Sequence, residues 1–432
     1  MNPADTPRDV VDGPAFRFSN GELHCEQVSL TEIAARFGTP TFVYSRRAIE
    51  QAYAAYANAL AGRRALVCYA IKANSNLAIL HLLGRAGAGF DIVSGGELAR
   101  VLAAGGDPRR IVFSGVGKLD YEIEAALRAN ILCFNVESAP ELTQLARVAA
   151  NMRRRAPVSL RVNPDVDAKT HPYISTGLRD NKFGVAYEDT LALYKAAAAD
   201  PNLEVVGIDC HIGSQITAVA PYVDAAERLL DLVDELARAG IGIHHIDFGG
   251  GLGIRYGDET PPSIAELIGA LLERVDARGY ADRLLMFEPG RSLVGNAGAL
   301  LTRVNLLKAG ATRNFAVVDA AMNDLIRPTL YGAWMDVQPV VCRDGPRVRY
   351  DVVGPVCESG DWLARERDLA IAAGDLLAVL GAGAYAMSMA SNYNSRGRAA
   401  EVMVDGKMAY CVRRREKVEE LYAGESLLPG VD

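Results

Sequence analysis

The chain has 432 residues, half of them hydrophobic, with a formal net charge of −7 at pH 7 and no long basic run. That composition suits two or three globular domains and argues against nucleic acid as a principal partner. No apolar run approaches a membrane span, the polar Met1 to Asn20 stretch lacks the order of a signal peptide, and the seven cysteines are scattered without a CxxC pair; the expectation is a cytoplasmic protein with reduced thiols, no disulfide framework and no zinc site.

Taken in chain order, residues 1 to about 20 read as a loose terminal arm. Strands are predicted at 23–26 and 41–45, around a helix from Leu30 to Phe37 that stops at Gly38-Thr39-Pro40. Arg46 to Leu60 reads as an amphipathic helix rich in alanine and tyrosine. From Ala65 a rhythm sets in. Apolar or β-branched runs occur at 65–70, 89–93, 111–114, 131–136, 158–162, 204–211, 243–248 and 284–288, with helical periodicity around 76–86, 95–104, 120–129, 139–152, 187–199, 219–239 and 264–278 between them. Eight strands alternating with helices predict a (β/α)₈ TIM-like barrel, although an open doubly wound sheet has the same local pattern. The count of eight, and the polar or glycine-rich residues after nearly every strand, favour closure. Beyond Gly295 strand-like runs dominate, at 300–307, 315–319, 337–343, 347–353, 375–380, 399–404 and 408–413, with turns at Asp344-Gly345 and Asp405-Gly406. They predict a second, all-β domain (a small barrel, Greek key or sandwich) built from both chain ends, with the early strands joining it. The expected division is 1–45 for the arm and joining strands, 46–295 for the barrel and 296–432 for the C-terminal β domain.

The ends of the eight runs read Lys72, Asp91, Ser114, Asn135, Asn163, His211, Gly249-Gly250-Gly251 and Glu288-Pro289-Gly290-Arg291. In a barrel of this kind chemistry lies at the C-terminal face, and phosphate is often held after strands seven and eight. The glycine run occupies the seventh position, where its N–H groups can surround phosphate oxygens. Lys72 either snorkels to solvent or serves as a Schiff-base amine made nucleophilic by desolvation or cationic neighbours. Singly, His211 reads as a satisfied core histidine and Glu288 as a structural ion-pair partner. Together on one face, a lysine, a glycine cradle, a histidine and a carboxylate are what pyridoxal phosphate uses. The lysine holds the cofactor, the glycines hold its phosphate, the histidine lies against the ring, and Glu288 faces the ring nitrogen. A Schiff-base aldolase shares the lysine and phosphate site but needs neither the carboxylate nor an added β domain.

Six stretches of the first 300 residues are distinctive: Tyr69-Ala70-Ile71-Lys72-Ala73-Asn74, Phe90 to Glu97, His171 to Gly177 with Lys182-Phe183-Gly184, His211-Ile212-Gly213-Ser214-Gln215, Gly249 to Gly253, and Glu288 to Arg291. Arg327-Pro328, Tyr331-Gly332, Cys357 to Asp361, Gly383-Ala384-Tyr385 and Ser391 to Asn394 follow. In these stretches the chain resembles the alanine-racemase-like, fold-type III decarboxylases that use pyridoxal phosphate, most closely their diaminopimelate branch, over about Leu23 to Arg413. The resemblance implies pyridoxal 5′-phosphate held by Lys72, Asp91, His211, Ser214, Gly250, Gly251, Glu288, Gly290, Arg291 and Tyr385, with no metal. It implies Lys72, His211 and Cys357 as catalytic residues, Cys357 as the proton donor, and decarboxylation of meso-diaminopimelate to L-lysine, the last step of lysine biosynthesis.

Such a substrate carries an amino-acid group at each end, and the distal one must be recognised intact. Its carboxylate calls for arginine, and the resemblance points to Arg291 and Arg327 with Tyr331 and Tyr385; Glu358 fits its ammonium. In relatives Cys357 and Glu358 reach the partner subunit's site, which implies a homodimer with shared active sites. A decarboxylase of ornithine, arginine or a carboxylated polyamine would keep the cofactor site and change the distal residues. A racemase would need a second base facing Lys72, for which Tyr385 is the candidate, and a non-catalytic homologue would be expected to lose Lys72 or Cys357. The stretch 171–184, rich in Lys, His and Tyr, reads as a lid.

Overall fold

The computed structural model describes residues 15–167 and 182–429. Eight parallel strands run Ala65–Ala70, Gly89–Ile92, Ile111–Phe113, Cys133–Val136, Ala156–Asn163, Leu203–Cys210, His245–Asp247 and Leu284–Phe287. Each pairs with the next, and the eighth returns to the first, with Leu285 opposite Ala65 and Phe287 opposite Val67. That pairing closes the barrel and rules out the open sheet.

The helices between the strands start where a side chain satisfies the free amides of the first turn. Ser45, Asn76, Ser94, Ser138 and Ser263 all accept such N–H bonds. Their apolar stripes turn onto the strands. The helix Ala220–Arg238, for example, buries Tyr222, Ala225, Ala226, Leu229, Leu230, Val233 and Leu236 at helical spacing.

Strand alternation then decides what fills the barrel. Leu66, Cys68, Val112, Cys133 and Met286 form an apolar plug inside it. Two residues further along the same inward faces come Ala70, Ser114, Asn135 and Glu288. The interior therefore changes from apolar to polar toward the C-terminal face, and the chemistry-bearing residues start where the plug ends.

A second, nine-stranded sheet carries the rest of the chain. Its main path runs Trp362–Leu369, Val348–Val353, Asn314–Val318, Gly298–Ala309, Thr41–Ser45, Ala400–Asp405 and Met408–Arg413. The strand at 41–45 thus lies mid-sheet, between Gly298–Ala309 and Ala400–Asp405. Its alternation serves two layers. Phe42 and Tyr44 join the core shared with the barrel, while Val43 packs on the opposite face with Leu301, Val402 and Val404.

Three expectations need correction. The terminal arm does not extend to residue 20, because Phe16–Ser19 pairs with Glu22–Cys25 in a separate three-stranded sheet. The strand predicted at 23–26 belongs to that small sheet. It meets the large sheet through the Leu23 N–H on Val340 O (2.7 Å), the Cys342 N–H on Gly21 O (2.8 Å) and the Glu26 carboxylate, which accepts from Ser45 Oγ (2.7 Å) and the Gly406 N–H (2.6 Å). Phe16, Leu23, Cys25 and Val28 hold it there as a layer over Val43 and Leu301. Trp362–Leu369 is a strand that hydrophobic patterning misses: it lies at an edge, carries Arg365 to Asp368, and kinks at Glu366, whose φ is +57°. The run predicted at 337–343 divides: Val337–Pro339 pairs with Leu376–Leu380 in the large sheet, and Val341 forms a single bridge to Glu22 of the small one. Of the stretch read as a lid, 171–181 lies outside the described residues.

Candidate active site

Lys72 sits in the single 3₁₀ turn Ile71–Ala73 that ends the first barrel strand. Two backbone bonds fix that turn: the Ala70 N–H donates to Pro289 O at 3.1 Å, and the Tyr385 N–H donates to Ala73 O at 2.8 Å. The first strand end is thereby tied both to the eighth strand and to the β region. Lys72 Nζ lies 3.1 Å from Asp91 Oδ2, with Asp91 fully buried. Burial works to lower the Lys72 ammonium, but the negative Asp91, with Tyr385 and Glu288, outweighs it and raises the group above its ordinary value.

A cavity of about 480 Å³ opens over this lysine, a size that suits a cofactor with a small substrate. Lys72, His211, Ser214, Gly251, Glu288, Gly290, Arg291, Arg327, Tyr331 and Tyr385 all line it. A larger recess of about 940 Å³ lies between Phe16, Tyr256 and Trp334, but it contains neither a lysine nor a histidine. The smaller cavity therefore carries the chemistry.

The floor of this cavity is built by close backbone approach. A Cβ on Gly249, Gly250 or Gly251 would meet a carbonyl oxygen of Cys210, Glu288 or Gly213 at 2.3, 2.0 or 2.2 Å, and Gly249 and Gly251 have φ of +65° and +105°. The Gly250 N–H donates to His211 Nδ1 at 3.2 Å. Burial, then Arg161 and Lys72, pushes the imidazole well below its usual range, so it is neutral. Glu288, at the end of the eighth strand, accepts from Asn135 Nδ2 at 3.3 Å. Burial and then Asp247, Asp91 and Asp209 hold its carboxyl well above the usual range. A neutral imidazole, a tight amide cradle, a lysine and an acid ready to meet a basic nitrogen are a donor set that fits pyridoxal phosphate.

The two arginines share an aromatic prop. Arg291 donates through Nη1 to Tyr256 Oη at 2.6 Å and through Nη2 to Ser214 Oγ at 3.0 Å, with its guanidinium 4.7 Å from the Tyr385 ring centre. Arg327 begins the short helix Arg327–Tyr331 and lies 4.5 Å from the Tyr256 ring centre. Its hydrogen-bond partner is a thioether, Met335 Sδ at 3.6 Å. Burial lowers the guanidinium's pKa, and among the described residues no carboxylate pairs with it; Tyr256, Arg291, Tyr385 and Tyr331 are the groups that act on it most.

The remaining predicted residues lie elsewhere. Asp91 is buried behind Lys72, and Gly250 forms the cradle without lining the cavity. Cys357 and Glu358 are exposed and line no part of this chain's own cavity. The Cys357 N–H donates to Asn394 Oδ1 at 3.0 Å, and Glu358 Oε1 accepts from Tyr393 Oη at 2.6 Å.

Sequence reasoning missed Arg161, Tyr256, Asp209 and Asp247. Arg161 lines the cavity and pairs with buried Glu137 at 3.1 Å; Glu137 also accepts the N–H groups of Gly115 and Gly184. The available signal was strand parity: Arg161, Asp209 and Asp247 lie two residues before Asn163, His211 and Gly249, on the same strand face. A charged residue inside an apolar strand needs a reason. For Tyr256, which follows the glycine run, the sequence carries no comparable signal.

Fold and cavity together define a barrel whose lysine-bearing cavity, with its glycine cradle, fits a phosphorylated pyridine cofactor. Residues 46–295 match the model of the family described as "Pyridoxal-dependent decarboxylase, pyridoxal binding domain". The chain is 63% identical to the diaminopimelate decarboxylase of Pseudomonas aeruginosa over 96% of this chain and 99% of that protein. It is 56% identical to that of Vibrio cholerae over 95% and 98%. The solved diaminopimelate decarboxylase of Helicobacter pylori, complexed with L-lysine, superposes with a TM-score of 0.88 at 41% identity, covering 92% of this chain and 99% of that one. The chain belongs to the pyridoxal-dependent decarboxylases, and within them to the diaminopimelate decarboxylase family.

Proposed function

We propose that the protein removes one carboxyl group from meso-2,6-diaminopimelate, giving L-lysine and carbon dioxide as the closing step of lysine biosynthesis. The observation that carries the substrate is Arg327: a buried guanidinium in the lysine cavity that, among the described residues, is held by a thioether and an aromatic face in place of a carboxylate. Such a group is costly until an anion arrives, and the distal carboxylate of the substrate is that anion. A decarboxylase of ornithine or arginine would have no use for it, because those substrates carry no second carboxylate.

Pyridoxal phosphate, when bound, supplies a carbonyl that takes up an amine and a ring that accepts the electron pair left by carbon dioxide. Lys72 holds the cofactor between turnovers, and Asp91 keeps the lysine amine oriented. The amides of Gly251 and Gly290, with Ser214, Arg291 and Tyr385, would hold the phosphate in a cradle that Gly250 shapes. His211 would lie against the ring as a neutral imidazole, and Glu288 would hold a proton at the ring nitrogen. Arg327, Tyr331 and Arg291 receive the distal carboxylate.

Two further residues come from a second copy of the chain: its Cys357 protonates the substrate carbon and its Glu358 meets the distal ammonium. The support is their exposure and their separation from the chain's own cavity. The working form is thus a homodimer. We also take the chain to divide at about residues 45 and 295, and to act in the cytoplasm, in keeping with seven unpaired cysteines; among the described residues no helix is long and apolar enough to cross a membrane. Carbon dioxide release from meso-diaminopimelate, its L,L isomer, lysine, ornithine and arginine tests the reading. Release from the meso compound alone is expected, and release from ornithine or arginine would reverse the roles given to Arg291, Arg327 and Glu358.

A further inference from the structure

Among the buried carboxyl groups of the barrel interior, two lie beside Glu288 with no part in the functions above. They are Asp209, on Leu203–Cys210, and Asp247, on His245–Asp247, exposed by 1% and 0%. Asp209, Asp247 and Glu288 each bring a carboxyl oxygen within 4.8 Å of the others. Asp247 works in two directions. Its Oδ1 accepts the Gly249 N–H at 2.9 Å, and the Gly249 carbonyl in turn accepts the Glu288 N–H at 2.7 Å. Its Oδ2, like Asp209 Oδ1, is buried with no donor opposite among the described residues. Two carboxylates this close repel, and a proton between them turns the repulsion into a hydrogen bond.

We propose that Asp247 is a positioning residue for the cofactor: through Oδ1 it sets the first glycine of the phosphate cradle, and through a protonated Oδ2 it donates to Glu288, so that the other Glu288 oxygen faces the ring nitrogen. The inference rests on the cavity's taking pyridoxal phosphate. The surrounding charges agree with it. Burial, then Asp247, raises Asp209 well above the usual range despite Arg161. Burial, with a contribution from Asp91, brings Asp247 to about 7 against the lowering effect of the Gly249 N–H and of the Glu288 carboxyl, which is the donor of the pair while it keeps its proton; the donor role passes to Asp247 once Glu288 loses that proton. Asp91, Lys72 and Arg161 are the other charged groups acting on the cluster, with Glu137 behind Arg161, and the nearby His211 is neutral. Below about pH 7 Glu288 and Asp247 both carry protons before the ring nitrogen arrives. On binding, Glu288 gives its proton to the ring nitrogen and becomes a carboxylate between two donors, the ring N–H and the Asp247 O–H; no proton is gained or lost by the set.

The probes are pyridoxal 5′-phosphate and its deaza analogue, in which carbon replaces the ring nitrogen. The ratio of their dissociation constants, from absorbance titration, isolates the ring-nitrogen contact from the phosphate. Wild type, Asp247→Ala and Asp247→Asn are compared at each pH from about 6 to 9, so that titration of the free probes cancels. Asp247→Ala is expected to reduce the preference for nitrogen about tenfold, the loss of one hydrogen bond to a charged group, and to weaken both probes. Asp247→Asn keeps a non-titrating donor, so its preference stays level, whereas the wild-type preference falls above about pH 7 as Asp247 ionises. An unchanged ratio in Asp247→Ala overturns the inference. So do coincident pH curves for wild type and Asp247→Asn, a comparison that stands even where the alanine variant does not fold. Wild type that binds neither probe would overturn the cofactor reading itself, and the inference with it.

Discussion

Arg327→Met removes the guanidinium and keeps the bulk of the side chain. Arg327 is 6% exposed, with Met335 Sδ at 3.6 Å and the Tyr256 ring at 4.5 Å as its contacts among the described residues. Losing the ring contact costs about 0.5–2 kcal/mol. Relieving an unpaired buried cation returns a comparable or larger amount. The folded state should therefore be unharmed, with the melting temperature within about 2 °C of wild type or higher. Substrate binding behaves oppositely. Truncating one partner of a desolvated, hydrogen-bonded charge pair costs about 2–5 kcal/mol. At 1.4 kcal/mol per factor of ten, KM for meso-diaminopimelate rises by roughly 30-fold to 4,000-fold, nearer the lower end because Arg291 and Tyr331 remain in the cavity. Arg327→Lys should recover only part of the loss, because a point charge cannot match both carboxylate oxygens. The assays are initial rates of carbon dioxide release against substrate concentration, and thermal melts of the same preparations. A KM within about threefold of wild type, in a variant that melts normally, refutes the assignment of Arg327.

Lys72→Ala should abolish covalent attachment of the cofactor: borohydride followed by mass spectrometry marks residue 72 in the wild type, and finding the label on another lysine would refute its role. Asp91→Asn removes the charge that holds the Lys72 ammonium high, so the rate of cofactor attachment should rise at lower pH than in the wild type, which rapid-mixing absorbance over a pH series would detect. In the cofactor-free protein Glu288 and Asp247 keep protons that the unfolded chain sheds above about pH 4. Stability should thus fall as pH rises from about 4 through 7, and melts of Glu288→Gln should show a shallower fall; an unchanged slope would count against the buried acid cluster. Mixing Lys72→Ala chains with Cys357→Ala chains should restore about a quarter of the wild-type rate, because half the dimers are mixed and each mixed dimer holds one intact site. No recovery, with mixed dimers present, would refute sharing of the site.

Much of the fold was legible because its signals are local. The helices at Leu30–Phe37, Asp120–Ala129, Ala139–Met152 and Tyr187–Ala199 lie where periodicity and end signals predict them. The barrel strands are apolar runs ended by polar residues, since both faces are buried until the chain emerges at the open end. Trp362–Leu369 was illegible for the opposite reason: an edge strand with one exposed face and a bulge at Glu366 carries charges where a central strand could not. The small sheet at 16–29 is bounded by pairing and by the layer it covers, which no local pattern records.

By itself the sequence determined the number and order of the barrel strands, the lysine at the end of the first, the glycine run after the seventh and the glutamate after the eighth, because each is a property of a short stretch of chain. Only the tertiary structure decided that the eighth strand meets the first, which carries Gly290 against Ala70 and Ala73 and brings Glu288 and Lys72 into one cavity. It alone placed Tyr256 beside both Arg291 and Arg327, gathered Asp209 and Asp247 beside Glu288, and left Cys357 outside the cavity of its own chain. These are convergences of residues dozens to hundreds of positions apart, and such distances are set by closure and packing, which no local preference encodes.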